Sequence, residues 1–185
     1  MVNIEQSSDV ATARPTVEEI TRLAASVADP EIPNLTIADL GILRDVRVGE
    51  DGRIEVDLTP TYSGCPAVEA IESDVRAAIA GAGYPAVTVR RVLAPAWTTD
   101  WISAEGRQKL AEVGIAPPGP VCRAASTATT EAATATATGQ PVAFVHCPHC
   151  GSRETEILSR FSSTACKELR RCCSCSEPFD HFKPL

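Results

Sequence analysis

Apolar residues recur along the chain at two different spacings, and the spacing separates helices from strands. Val17, Ile20, Leu23, Ala24 and Val27 lie three and four apart, so they share one helical face. Thr16 and Glu19 frame the start of that helix as a capping box. The Asp29-Pro30 step ends it, because the residue before a proline avoids the α region. A loop with two prolines and little periodicity follows, to Gly41. Residues 42–48 and 53–59 then alternate with a period of two around Glu50-Asp51-Gly52, which predicts a hairpin. Helical spacing returns at Val68, Ile71, Val75, Ala78 and Ile79, with Pro66 suited to the first turn and Gly81-Ala-Gly83 as the stop. Val87, Val89 and Val92 mark a third strand. Ser103 caps a last helix that runs to about Val113, before Gly114 and Pro117-Pro118. The predicted order over residues 16–120 is α-β-β-α-β-α, a small α/β domain.

Composition sorts the rest of the chain. Residues 1–15 are polar and aperiodic, and read as a loose tail. Residues 121–140 form a linker in which 13 of the 19 positions from Cys122 on are Ala or Thr, too few large apolar side chains to offset ordering entropy. Aromatic residues make up only 4% of the 185 positions, so the core must be aliphatic. No apolar run approaches the ~20 residues of a membrane span, and no secretory signal is visible at the N-terminus. A net charge of −7 argues against nucleic acid, whose phosphates need a basic face. The sequence therefore reads as a cytoplasmic protein without membrane or nucleic-acid partners.

Eight cysteines change the picture. In a reducing compartment they point to metal ligation or redox chemistry rather than to disulfides. Cys147-Pro-His-Cys150 and Cys172-Cys-Ser-Cys175 are two C-x2-C knuckles, able to offer four thiolates to one tetrahedral ion. Candidate strands at Glu154–Phe161 and Lys167–Arg171 lie between them, so residues 141–185 read as a β-rich ribbon. A unit of that size needs a staple to fold, which gives the metal a structural reason. Zinc is the first choice; rubredoxin-like iron and an iron–sulfur cluster remain open. Cys166 is either an extra ligand or a small buried apolar residue, and His146 and His149 are expected at the surface. Cys122 and Cys173 receive no role.

Cys65 stands apart, between Gly64 and Pro66, where a loop enters a helix. Backbone N–H groups at a helix start favour a thiolate suited to nucleophilic, redox or metal chemistry; the alternative is a small side chain filling the junction. Asp29, Glu31 and Asp39 are either accessory acids near Cys65 or turn and cap residues. No catalytic residue is assigned, and no His suited to a cysteine protease is evident.

Asp29-Pro30-Glu31, Asp39-Leu40-Gly41 and Thr59-Pro-Thr-Tyr-Ser-Gly-Cys65-Pro66 together resemble the MIP18, or DUF59, family of iron–sulfur assembly proteins. The stretches CPHCGS, FSSTACKELRRC and CSEPFDHFK resemble the phenylacetate-degradation PaaD family, which joins such a domain to a zinc-ribbon-like tail. The resemblance implies a MIP18-like domain over 16–120 and a zinc-ribbon-like domain over 141–185. It implies a role beside the multicomponent monooxygenase that epoxidises phenylacetyl-CoA, whose oxygenase holds a di-iron centre and whose reductase holds flavin and a [2Fe–2S] cluster. On that resemblance Cys65 handles transient iron or an iron–sulfur cluster, Asp29 and Glu31 surround it, and Cys147, Cys150, Cys172 and Cys175 hold structural zinc. The chain would then be a non-catalytic maturation factor with the oxygenase or reductase as its client, and pairing of Cys65 across a homodimer is one arrangement open to it. The alternatives are an adaptor bridging oxygenase and reductase, and a rubredoxin-like electron carrier.

Overall fold

The computed structural model describes residues 14–119 and 144–185. The expected tail as far as residue 13 and the whole of the expected linker, 121–140 with Cys122, lie outside the described residues.

Helix α1 spans Val17–Ala25, and the Thr16 hydroxyl accepts from the Glu19 N–H at 3.1 Å, half of the capping box. It ends before the Asp29-Pro30 step, because Ser26 caps it and Val27 turns away to accept from the Ile37 N–H. Strands β1 (Leu43–Val48) and β2 (Ile54–Leu58) pair antiparallel across the expected turn. Helix α2 (Ala67–Gly81) then crosses to β3 (Val87–Arg91), which lies parallel to β2. The sheet order is β1-β2-β3. Period-two alternation buries Ile54, Val56 and Leu58 in the same core as Ile20 of α1 and Ile71, Val75 and Ile79 of α2. On β2, Glu55 and Asp57 take the intervening positions, where they pair with Arg47 and Arg90.

A 3-10 turn at Thr99–Trp101 leads to α3 (Ala104–Glu112), with the Ser103 hydroxyl accepting from the Gly106 N–H at 2.8 Å. Strand β4 (Ile115–Ala116) follows and joins a second sheet with β5 (Thr155–Ser159), β6 (Lys167–Cys172) and β7 (Pro178–Phe182), ordered β4-β7-β6-β5. β4 is parallel to β7, so the strand after α3 forms one edge of the ribbon sheet.

The two sheets are joined through β7. Phe179 and Phe182, three positions apart, fall on opposite faces of this strand. Phe179 packs with Val145, Cys147 and Cys172 in a small ribbon core, whereas Phe182, 1% exposed, belongs to the main core. Its ring lies 5.9 Å from that of Trp97, and the Trp97 indole N–H donates to the Leu40 carbonyl at 2.9 Å. Burying one such ring stabilises the contact by roughly 1.5–3 kcal/mol. The ribbon is thereby held over the loop that carries Asp29, Glu31 and Asp39.

Candidate metal-handling site

Among the described residues one group of side chains has its donor atoms gathered as a metal ion requires, and a second set of candidate residues shares a pocket. The first lies in the ribbon. Gly151 (φ 75°) lets the first knuckle turn back, and its N–H donates to the Cys147 carbonyl at 2.9 Å. Ser176 (φ 65°) does the same for the second knuckle, donating to the Cys172 carbonyl at 2.9 Å. These turns bring the sulfurs of Cys147, Cys150, Cys172 and Cys175 within 4.8 Å of one another. Cys147 Sγ lies 3.8 Å from Cys175 Sγ, and Cys150 Sγ lies 3.5 Å from Cys172 Sγ. Four sulfurs bound to one tetrahedral ion at about 2.3 Å would lie about 3.8 Å apart, so the donor set fits such an ion. The backbone N–H of Cys175 and that of Ser174 point at Cys172 Sγ and lower its pKa to about 6, despite burial. Cys173, His146 and His149 stand outside this group.

The second group surrounds Cys65. The loop from Thr59 to Gly64 closes with the Cys65 N–H on the Tyr62 carbonyl at 3.2 Å, and α2 begins two residues later. Asp29 Oδ1 accepts from the N–H groups of Glu31 (2.8 Å) and Ile32 (2.9 Å), which folds the acidic turn tightly. Asp29, Glu31 and Cys65 line one pocket whose walls are otherwise mostly apolar, among them Leu40, Ile42 and Ile71. Cys166 lines it from the ribbon side, reached from the residue just before β6.

The electrostatics of the pocket oppose negative charge. Burial pushes the Cys65 thiol up from its ordinary value, outweighing the N–H groups of Ala67 and Val68, and Glu31 and Asp29 push it further. The helix start alone therefore does not make the thiolate that local sequence suggests. Cys166 is raised chiefly by burial, with Glu31 and Cys65 adding to it against the Thr164 hydroxyl. Glu31 itself is raised by burial and by Asp29, with Lys167 opposing.

Asp39 takes no part in this pocket. Its Oδ2 accepts from the Thr36 N–H at 2.9 Å and from Lys109 Nζ at 2.8 Å, and its carbonyl accepts from the Ser103 N–H. The neighbouring Gly41 (φ 66°) has no room for a side chain, because a Cβ there would meet Trp101 at 2.6 Å. Asp39 and Gly41 thus serve packing under α3, while Leu40 between them reaches the pocket wall. Sequence reasoning missed that Cys166 and Cys65 line one pocket, for which the chain carries no local signal.

Comparison with known proteins follows the same division. Residues 18–93 match the family described as an iron–sulfur cluster assembly protein, and residues 131–183 match the PaaD zinc beta ribbon domain. An Escherichia coli protein provisionally named as a component of 1,2-phenylacetyl-CoA epoxidase is 45% identical over 172 residues, 92% of this chain and 94% of its own. An Fe–S protein maturation auxiliary factor of Porphyromonas gingivalis is 38% identical over 51% of this chain and 90% of its own. A crystal structure of a DUF59 domain of unknown function from Bacillus anthracis matches 51% of this chain and 90% of its own, at 26% identity and a TM-score of 0.47. Among the described residues no helix is long and apolar enough to cross a membrane. With nearly its whole length matched, this chain belongs to the PaaD family, in which an iron–sulfur assembly domain is joined to a PaaD zinc ribbon.

Proposed function

We propose that the chain takes up iron or an iron–sulfur cluster at Cys65 and passes it to a component of the phenylacetyl-CoA monooxygenase. The observation that carries this reading is the shared pocket of Cys65, Asp29 and Glu31 inside the segment matched by the assembly family. Cys65 is half-buried, which suits a ligand that must both hold an ion and give it up. On uptake the thiol loses its proton as the sulfur bonds to iron; on transfer a client thiolate or carboxylate displaces it and the proton returns. The carboxylate of Glu31, which lines the same pocket, would take the proton or bond the ion.

The four ribbon cysteines we read as a structural zinc site. Four thiolates leave no open coordination position, so the ion would supply folding energy and no reaction step. In cells dependent on this chain, Cys65→Ser should leave its abundance and fold unchanged while lowering the iron content and activity of the monooxygenase. Normal client activity with that variant would end the reading.

A second reading, an adaptor between oxygenase and reductase, draws on one observation. Strand β5 is an edge of the ribbon sheet, and it exposes Ile157 and Leu158, with Phe161 just beyond. An adaptor loses co-purification with both components when residues 141–185 are deleted, and is indifferent to Cys65→Ser.

A further inference from the structure

We propose that Cys166, carried by the ribbon, is the second thiolate of the Cys65 site, and that with Glu31 the two cysteines bind a single borderline divalent cation such as Fe2+. The inference rests on the reading of Cys65 as the iron-handling residue and adds the ligand set and the size of the cargo.

Three observations carry it. Cys65, Cys166 and Glu31 line the same pocket, although they come from the start of α2, the ribbon and the loop after α1. Cys166 is also held in place rather than merely near. Its carbonyl accepts from the Lys183 N–H at 2.9 Å, the next residue pairs with Phe182 across β6 and β7, and Phe182 is locked into the main core against Trp97. The Thr164 hydroxyl lies 3.0 Å from Cys166 Sγ and can donate to a thiolate there.

The third observation is size. The pocket encloses about 400 Å³ when the space up to its mouth is counted, but the centre of a water-sized sphere has only about 20 Å³ in which to move. That is room for about one water or one ion. A [2Fe–2S] cluster, with four heavy atoms, does not fit while the ribbon is docked. Two thiolates and a carboxylate combine soft and hard donors, a set that suits Fe2+, Co2+ or Zn2+ better than Mg2+ or Cu+. On binding, each thiol that bonds the ion releases one proton, so the site with two thiolates and one carboxylate carries a net charge of −1. With the ribbon absent, Cys65 would retain Glu31 but lose its only thiolate companion among the pocket residues.

The test uses the full chain with its ribbon filled with zinc and Co2+ as the probe, under exclusion of oxygen. Wild type should bind one Co2+ beyond one retained zinc, with a sulfur-to-cobalt charge-transfer band and two sulfur neighbours in X-ray absorption at the cobalt edge. Cys166→Ser should weaken binding by about tenfold or more, since losing even an outer partner of a ligand costs about that much, and should roughly halve the band. Zinc content, with a thermal melt, reports whether the variant still folds. A wild-type cobalt site with one sulfur neighbour overturns the inference whatever the variants do. Cobalt binding unchanged in Cys166→Ser but lost in Cys65→Ser also overturns it, while leaving the reading of Cys65 intact. Cobalt binding unchanged in both variants, or absent from wild type, overturns both.

Discussion

The ribbon and the Cys65 pocket bring cysteines and their neighbours together on opposite plans. In the ribbon, four donors of one kind come from two short knuckles, and backbone N–H groups aim at a sulfur before any ion arrives. In the pocket, donors of two kinds come from three distant segments, and burial raises the thiols instead of ionising them. A closed set of four thiolates holds its ion and contributes folding energy. A mixed set whose thiols stay protonated until a cation displaces the protons would favour exchange. The difference teaches that cysteine count says little by itself; what decides is whether the backbone around the sulfur stabilises the charge in advance.

Breaking the ribbon set should have the largest effect. Cys172 is fully buried and accepts two backbone N–H groups, so Cys172→Ser removes the sulfur around which the second knuckle closes. Structural zinc is worth on the order of 10 kcal/mol of folding free energy in small metal-dependent domains. Bound metal should fall from one ion per chain to near zero, and amide hydrogens of β5 to β7 should lose their protection from exchange. The α/β core built on β2 and α2 should keep its protection. Retention of one ion per chain by the variant would show that the four-sulfur reading of the ribbon is wrong.

A middle-sized effect separates the pocket from the shelf beneath it. Asp29 and Asp39 sit in one loop, yet only Asp29 lines the pocket. Burial works to raise Asp39, but the Lys109 ammonium and the Thr36 N–H and hydroxyl outweigh it and hold the carboxyl below its ordinary 3.8. A depressed folded-state pKa gives stability that is fully present above the unfolded value and is lost as pH falls through the folded one. Wild type should therefore lose this contribution below about pH 4. Asp39→Asn should cost about 2 kcal/mol at neutral pH, the scale of hydrogen bonds to a charged group, and its denaturation midpoint should fall less steeply on acidification. Parallel acid profiles for the two proteins would remove the ion pair with Lys109 from the account of this loop.

Much of the α/β part was legible because its signals are local. The spacing of Val17 to Ala24 and of Val68 to Ile79, the Thr16 and Ser103 caps and the Glu50-Asp51-Gly52 turn each act within a few residues. The two knuckles were legible for the same reason, since a C-x2-C turn fixes its own geometry. Strands β4 and β7 were not. β4 has two residues and exists only because β7 accepts it as a neighbour, and Pro178–Phe182 has no alternation that local periodicity could separate from a tail. Local sequence leaves Asp39 open between acid and cap; the Thr36 N–H three residues away and the Lys109 ammonium 70 residues away decide it together. The same holds for Cys166. Its sequence neighbours are mostly polar or charged, and nothing in Thr164-Ala-Cys166-Lys167 tells that its partners are Cys65 and Phe182.

The smallest effect sharpens the comparison most, because it sets two adjacent cysteines against each other. Cys172 and Cys173 are neighbours in a run where spacing favours the first as partner to Cys175. The structure separates them by direction. Cys172 turns its sulfur inward to the cluster, whereas Cys173 is exposed, and its backbone N–H donates to the Glu154 carbonyl at 2.8 Å, an interaction any residue but proline can make. Cys173→Ser should leave metal content at wild-type level and change stability by less than about 0.5 kcal/mol, as expected for a surface change that breaks no partner. Exposure is not what makes the difference, because Cys150 and Cys175 are exposed too and still belong to the four-sulfur group. Cys150→Ser should therefore lower metal content where Cys173→Ser does not, in the same metal analysis on protein purified side by side. If both variants lost metal equally, the ribbon would have to use a different set of four from the one its knuckles form.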